Sequence, residues 1–400
     1  MARTYIADAT VFDGTRVRTR QGVMVNAGRI EWVGAHARAP RDARSARAVD
    51  GKGRTLTPGL VDCHVHLMMD GSADFAADAA AINAHPMLGP IKGVANAAKH
   101  LAAGVTTVRD LGGVGTCELS SAVDDGVVPG PRIVAAGRAL TVTGGHGHNV
   151  AFAREVDGAD AVRRAVREEI KAGARAIKVV ATGGVLTPGI GATFTAFTPE
   201  EIGAAVAEAH KWNRGVAAHA IGAQGITGSV KAGVDSVEHC VQLTASTARD
   251  MAERGTYRGP TLSAAFGMLE HTDEVPAYAV EKISSVIEDA ERSHAVALRA
   301  HVRHVCSTDA GTPFNPHGNA PSELVRMVVW GMRPLDAMVA ATSNGADLLR
   351  IPDIGRVAPG MLADLVLYDD NPVDDIEAVR TPRSVWKAGT LVAGRAPRVS

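Results

Sequence analysis

Through the middle of the chain, from about residue 58 to 349, short apolar runs alternate with longer stretches of helical period. Ala103-Gly104-Val105, Ala172-Gly173-Ala174 and Ala232-Gly233-Val234 each close a helical pattern and open an apolar or β-branched run, and Gly215 and Gly255 stand in similar places. A glycine just past a helix, followed by such a run, is a C′ cap turning into the next strand. Thr198-Pro199-Glu200-Glu201 marks the other end of a helix, with an N-cap, a proline at N1 and a glutamate at N3. Repeated βα units imply parallel strands. The pattern puts strand ends near His66, Asp110, Thr141, Thr182, His219, His239, Ser263 and Asp309. Eight units of this kind make an α/β fold of the (β/α)8 TIM barrel type, whose chemistry sits at the C-terminal ends of the strands. An open doubly wound sheet would want a glycine-rich phosphate loop after its first strand, and His64-Val65-His66 stands there instead.

The flanks read differently. Residues 4–57 are short strands with turns at Asp13-Gly14, Ala27-Gly28 and Asp50-Gly51. Strand-like segments return at 362–368 and 384–392, with Gly389 at a turn. The expectation is a barrel over 58–352 and a small β-sandwich composed of 1–57 and 353–400.

Composition narrows the function without naming it. A chain of 400 residues is too long for one small core. With 46% hydrophobic and 21% charged residues it reads as an ordinary globular protein. A net charge of −1 gives no basic stripe for nucleic acid. No apolar run is long enough to cross a bilayer, and the opening Met1-Ala2-Arg3-Thr4-Tyr5 lacks the apolar core of a secretory signal. A cytoplasmic protein acting on a small molecule, with no nucleic-acid or membrane partner, is therefore expected. The four cysteines form no C-x-x-C pair, so free thiols are expected.

The chemistry lies in residues at the predicted strand ends. His64 and His66 are two apart on a strand and point to one side, as does Asp62. Two imidazoles near one point suit Zn²⁺ or a similar ion, although H-x-H alone also fits two structural histidines. Lys178 interrupts the apolar strand Ala176-Ile177-Lys178-Val179-Val180, where a lysine is costly. As a carbamate formed with CO₂ it becomes an anion that can bridge two ions. A lysine snorkelling to the mouth or a Schiff-base lysine are the other readings, the second of which leaves the histidines unexplained. His219, His239 and Asp309 each end a predicted strand. Jointly these residues point to a metal site.

Cys63, Cys240 and Cys306 lie an odd number of residues from their neighbouring ligands and read as small buried hydrophobes. His36, His85, His100, His210, His271, His294, His301 and His304 fall on helices, loops or outward faces. The loop Thr143-Gly144-Gly145-His146-Gly147-His148 brings His146 and His148 within reach of a substrate at the expected active face. Arg109 shapes the pocket or forms a structural ion pair, and Arg109, Tyr257 and Arg258 are candidate carboxylate contacts. The pocket walls fall to segments such as 68–88 and 263–276, read as loops.

These residues resemble the amidohydrolase superfamily in its binuclear, carboxylated-lysine branch, across nearly the whole chain. Thr57-Pro58-Gly59-Leu60-Val61-Asp62-Cys63-His64-Val65-His66 looks like the first-strand signature. Gly355-Arg356-Val357-Ala358-Pro359-Gly360 and Ala363-Asp364-Leu365-Val366 look like the return to the β-sandwich. The glycine-rich loop at His146, the run from Ile177 to Gly184, His219-Ala220, Val237-Glu238-His239 and Ser307-Thr308-Asp309-Ala310-Gly311-Thr312 are similar to the imidazolonepropionase-like group, which includes prolidases, Xaa-Arg/Lys carboxypeptidases and ochratoxinase-type enzymes. The resemblance implies that His64, His66 and Asp309 hold a more buried ion, that His219 and His239 hold an outer one, and that N6-carboxylysine at Lys178 bridges them. It implies that His146 polarises the scissile carbonyl and that Asp309 shuttles the proton, with zinc as the default metal and a homo-oligomer as the assembly. Ile221 stands where prolidase-like members carry a substrate-contacting tyrosine, and Gly222 where mononuclear deaminases carry a glutamate base. The expected reaction is hydrolysis of an amide bond in a dipeptide or N-acyl amino acid. An esterase, lactonase or organophosphate hydrolase using the same site is the alternative.

Overall fold

The structure, a computed structural model, describes residues 3–150 and 152–398. The strand Ala176–Val180 shows how sequence becomes architecture. Ile177 and Val179 pack with Val162, Val166, Ile202 and Val206, residues of the helices Ala159–Lys171 and Pro199–Lys211. Lys178 and Val180 take the opposite face and line a cavity. Helix Pro199–Lys211 starts with the expected capping box, Thr198 and Glu201 each accepting from the other's backbone N–H. Gly233 at φ 91° and Gly255 at φ 73° close the helices Ala223–Ala232 and Ala245–Arg254 in the left-handed region that glycine adopts without strain.

The middle of the chain holds parallel strands. Leu60–Val65, Val105–Asp110 and Arg132–Ala135 form one sheet. A second runs in the order Ala153–Glu155, Ala139–Thr141, Ala176–Val180, Gly215–Ala220, Ser236–His239, Tyr257–Gly259. Backbone bonds from Ala136 N to Asp110 O and from Arg175 N to Ala135 O run between neighbouring segments. The stretch 304–310 reaches both sheets: His304 bridges Arg258, and Ala310 bridges Val65. It also exchanges backbone bonds with the first strand, from Cys63 N to Cys306 O and from Asp309 N to His64 O.

Three segments differ from the sequence pattern, the first being the strand expected to end near Asp309, which makes only isolated bridges at His304 and Ala310. The third strand of the pattern is broken at Gly137 (φ 67°) into Arg132–Ala135 and Ala139–Thr141, which pair in different sheets. The strand expected to end near Ser263 ends at Gly259. Thr261 then turns at φ 52°, and the helix Leu262–Leu269 begins. The buried Glu323 carboxylate accepts from the Leu262 and Ser263 N–H groups at 2.9 and 2.7 Å, so this helix is capped from another helix. The segments read as loops at 68–88 and 263–276 thus contain the helices Phe75–Ala84 and Leu262–Leu269.

Both ends of the chain build one eight-stranded sheet. Thr4–Phe12, Val17–Asn26, Arg29–Ala35, Arg47–Asp50 and Thr55–Pro58 come from the start, and Leu365–Tyr368, Pro382–Lys387 and Thr390–Gly394 from the end. The junction is antiparallel, with Val366 opposite Thr57. Leu362, expected inside a strand, instead makes an isolated bridge with Arg29. Ile6, Val11, Val23, Ile30, Leu56 and Trp386 fill the core of this sheet. Among the described residues no helix is long and apolar enough to cross a membrane.

Candidate metal centre

His64, His66, Lys178, His219, His239 and Asp309 all line one cavity. Ring centroids of His64 lie 5.3 Å from His66 and 5.4 Å from His239, and those of His219 and His239 are 4.4 Å apart. Asp309 Oδ1 is 3.2 Å from Nε2 of both His64 and His66. Ligand atoms of His64, His239 and Asp309 all fall within 4.8 Å of one another. Strand alternation supplies His64 and His66. His239 and Asp309 need more: both take left-handed backbone angles, φ 65° and 59°. Such angles cost a non-glycine residue on the order of 1–3 kcal/mol and persist only where the surroundings enforce them. At His239 the turn lets two consecutive side chains, Glu238 and His239, both reach the interior.

Each histidine has one ring nitrogen occupied by a fixed outer partner. His64 Nδ1 donates to Glu238 Oε2 at 3.2 Å, and His66 Nδ1 to the Gly112 carbonyl at 3.3 Å. His239 Nδ1 lies 2.7 Å from Thr261 Oγ1, whose own proton goes to the Pro260 carbonyl, so the hydroxyl accepts from His239. His64 and His239 thus present an unprotonated Nε2, whereas His66 Nε2 faces Asp309 Oδ1, whose hydrogen bond and charge raise the His66 pKa against the effect of burial. His219 is reversed: its Nε2 donates to the Gly183 carbonyl at 2.7 Å, leaving Nδ1 as the lone-pair nitrogen. Outer partners that set tautomer and ring orientation in this way are what metal-binding histidines require.

Burial reinforces the arrangement. It holds His64, His219 and His239 well below the ordinary imidazole range, with the nearby Lys178 and neighbouring rings adding to the effect, so all three are neutral. Burial also works to raise Asp309, but the adjoining His64, the hydrogen bond from His66 and the nearby Lys178 charge outweigh it and leave the carboxylate lowered. Lys178 is 3% exposed, its Nζ has no hydrogen-bond partner, and burial pushes its pKa down to about 8. A cationic amine left bare among such side chains is expensive. The His146 ring lies tilted 4.8 Å from that of His219, with burial lowering its pKa to about 4. Thr187 Oγ1 accepts from Gly147 N–H and sits 2.8 Å from His146 Nδ1. Its free proton goes to Nδ1, which puts the imidazole proton on Nε2.

Residues 55–394 match the model of the amidohydrolase family. The chain belongs to that family. It is an enzyme, a hydrolase. The ochratoxinase of Aspergillus niger is 32% identical over 395 residues, covering 91% of this chain and 81% of that protein. A solved Xaa-Pro dipeptidase with bound methionine in its active site is 32% identical with a TM-score of 0.88, covering 98% of this chain and 99% of that one. A solved prolidase complexed with N-methylphosphonate-L-proline gives 0.90 at 32% identity, covering 98% of this chain and 100% of that one.

Several residues expected near the substrate of this amidohydrolase lie elsewhere. Arg109 is buried beneath the cavity, bonded to Glu238 at 2.7 Å and to the Cys63 carbonyl at 2.6 Å. Arg258 is fully buried against His294 Nδ1 at 2.9 Å. Tyr257 packs with Val61, Cys63 and Val305 under the Arg303 guanidinium. His148 turns back to the Gly145 carbonyl. None of these four lines the cavity, whereas His146 and Ile221 do. The reason is shared: polar residues near strand ends found partners in the protein, so they are not available to a ligand. Cys63, Cys117, Cys240 and Cys306 are free and buried.

Sequence reasoning missed Glu238, Thr187 and Thr261. A carboxylate inside the short strand Ser236–His239 was a signal for the first. The two threonines carried none, because their roles depend on loops meeting in space.

Proposed function

We propose that this amidohydrolase cleaves an amide C–N bond of a small substrate at a centre of two divalent ions, zinc first among the candidates. His64, His66 and Asp309 would hold one ion, His219 and His239 the other, and carboxylated Lys178 would join them. The residues fit such a group: His64, His219 and His239 each keep one lone-pair nitrogen in the lining of the cavity, His66 and Asp309 stand beside them, and the one buried amine there is unpartnered. That convergence is the observation that carries the proposal. We read the succession of strands as a closed (β/α)8 barrel over 58–352 with a composite β-sandwich from 1–57 and 353–400, which puts the centre at the C-terminal mouth.

When bound, the ions supply Lewis acidity at the carbonyl and lower the pKa of water toward neutrality. Asp309, an anion at neutral pH, takes the proton of the attacking water and returns it to the leaving nitrogen as the C–N bond breaks. Neutral His146 donates through Nε2–H to the carbonyl oxygen, where negative charge develops. Glu238 and Thr261 hold their histidines in the tautomer the task requires.

The test combines metal quantification with a panel of amides, matched esters, lactones and phosphotriesters. About two ions per chain and faster turnover of amides than of the matched alternatives support the reading. An unmodified Lys178 amine with a single ion in fully loaded protein overturns the binuclear part. Ester or lactone turnover without amide turnover overturns the bond assignment.

A further inference from the structure

Above its metal-type floor the cavity is mostly hydrocarbon, with Asn149 and three threonines as the polar exceptions. Phe75, Val185, Leu186, Met268, Ile283 and Trp330 are among its walls. Lys178 is the one Lys or Arg among the described residues lining it, and that side chain belongs to the floor. The threonine hydroxyls are occupied: Thr187 by His146 and Gly147, Thr261 by His239 and Pro260, Thr312 by the Asp309 carbonyl. Lys282, which lines neither space, donates to the carbonyls of Gly184 and Thr187 at 3.2 and 2.6 Å. A second space adjoins the first and shares Phe75, Asn149, Val150 and Leu186 with it. Its lining includes Asp74, Asp273 and Glu274, and no Lys or Arg. An anion entering through that space meets an acidic vestibule and then walls that, above the floor, carry no Lys or Arg.

We infer that the enzyme acts on neutral amides with apolar groups, alkyl or aryl, on both sides of the scissile bond, and excludes substrates carrying a free carboxylate. The inference rests on the amide-hydrolase reading above and removes dipeptides and N-acyl amino acids from its substrates. The carboxylate of such a compound would stay unpaired among Val185, Leu186 and Met268, and burial of an unpaired charge is strongly unfavourable. The vestibule adds a repulsion that slows encounter and weakens with salt.

The experiment uses two compounds with one skeleton, N-decanoylphenethylamine and N-decanoylphenylalanine, the second adding only a carboxylate. Binding is measured by calorimetry on metal-loaded Asp309→Asn protein, and as competition in wild-type holoenzyme. The neutral compound should bind tighter by about 100-fold or more, the scale set by an unpaired buried charge. Equal or tighter binding of the acid overturns the inference, as does failure of the neutral compound to bind. Turnover of the neutral amide and of 2-phenylethyl decanoate by wild-type holoenzyme separates the two claims. Cleavage of the ester alone defeats the amide reading, while the binding ranking still decides the exclusion of carboxylates.

Discussion

Arg109 and Glu238 form an ion pair sealed from water, with Nη2–Oε1 at 2.7 Å and side-chain exposures of 2% and 0%. Glu238 also accepts from Ser236 Oγ at 2.5 Å and from His64 Nδ1 at 3.2 Å. Glu238→Leu keeps the bulk and removes all of these acceptors, leaving a buried guanidinium without its counter-ion. Removing one partner of a buried pair costs about 3–5 kcal/mol. At about 2.1 cal/mol/K per residue, a chain of 400 residues unfolds with roughly 0.8 kcal/mol/K, so the melting temperature should fall by ~4–6 °C. The double variant Arg109→Met/Glu238→Leu replaces the pair by apolar groups and should regain most of that loss. Metal affinity should not follow stability. Both variants deprive His64 of its carboxylate partner, and both should lose about 10–100-fold in affinity. Thermal melting in excess chelator reads the first effect, and competition against a chromogenic chelator reads the second. A Glu238→Leu protein melting within about 1 °C of the parent, or a double variant with undiminished metal affinity, would refute the reasoning.

Lys178→Ala should lose metal and activity, with partial rescue by formate or acetate; full metal occupancy by mass spectrometry in that variant counts against the bridge. Asp309→Asn should retain part of its metal but lose about 10²–10⁴ in turnover, the range expected for a missing proton shuttle. A Cβ on Gly184 would collide with the His146 ring, so Gly184→Ala should lower kcat by about 10²–10³ through a displaced carbonyl donor while metal content stays unchanged. Glu323 is pushed up to about 7 by burial. The folded state therefore binds its proton more tightly than the unfolded chain, and this contribution to stability declines as pH rises from about 4.5 to 7, by at most about 1.4 kcal/mol per unit. Glu323→Gln should flatten that decline, and parallel melting curves for the two proteins between pH 5 and 7.5 would contradict it.

What could be read from the chain was local. The Thr198 capping box and the caps at Gly233 and Gly255 depend on neighbours in sequence, and the structure carries them as expected. The pairing of His64 with His66 followed from strand alternation alone. Glu238 escaped because alternation fails at His239, where the left-handed turn brings consecutive residues to one side. Arg109, Tyr257 and Arg258 looked available because their partners, Glu238, Arg303 and His294, lie far away in sequence. The break at Gly137 was hidden for a related reason: the two halves of that segment are each strand-like, and only their neighbours decide that they part.

The antiparallel junction of Thr55–Pro58 with Leu365–Tyr368 has a consequence for biosynthesis. During translation the early strand emerges long before its mate, and its outer edge stays an open template for any extended peptide nearby. The nascent chain cannot seal that edge until almost all of it has been synthesised. Messages cut short after the catalytic residues should therefore yield sticky, chaperone-bound polypeptide in place of a smaller working enzyme.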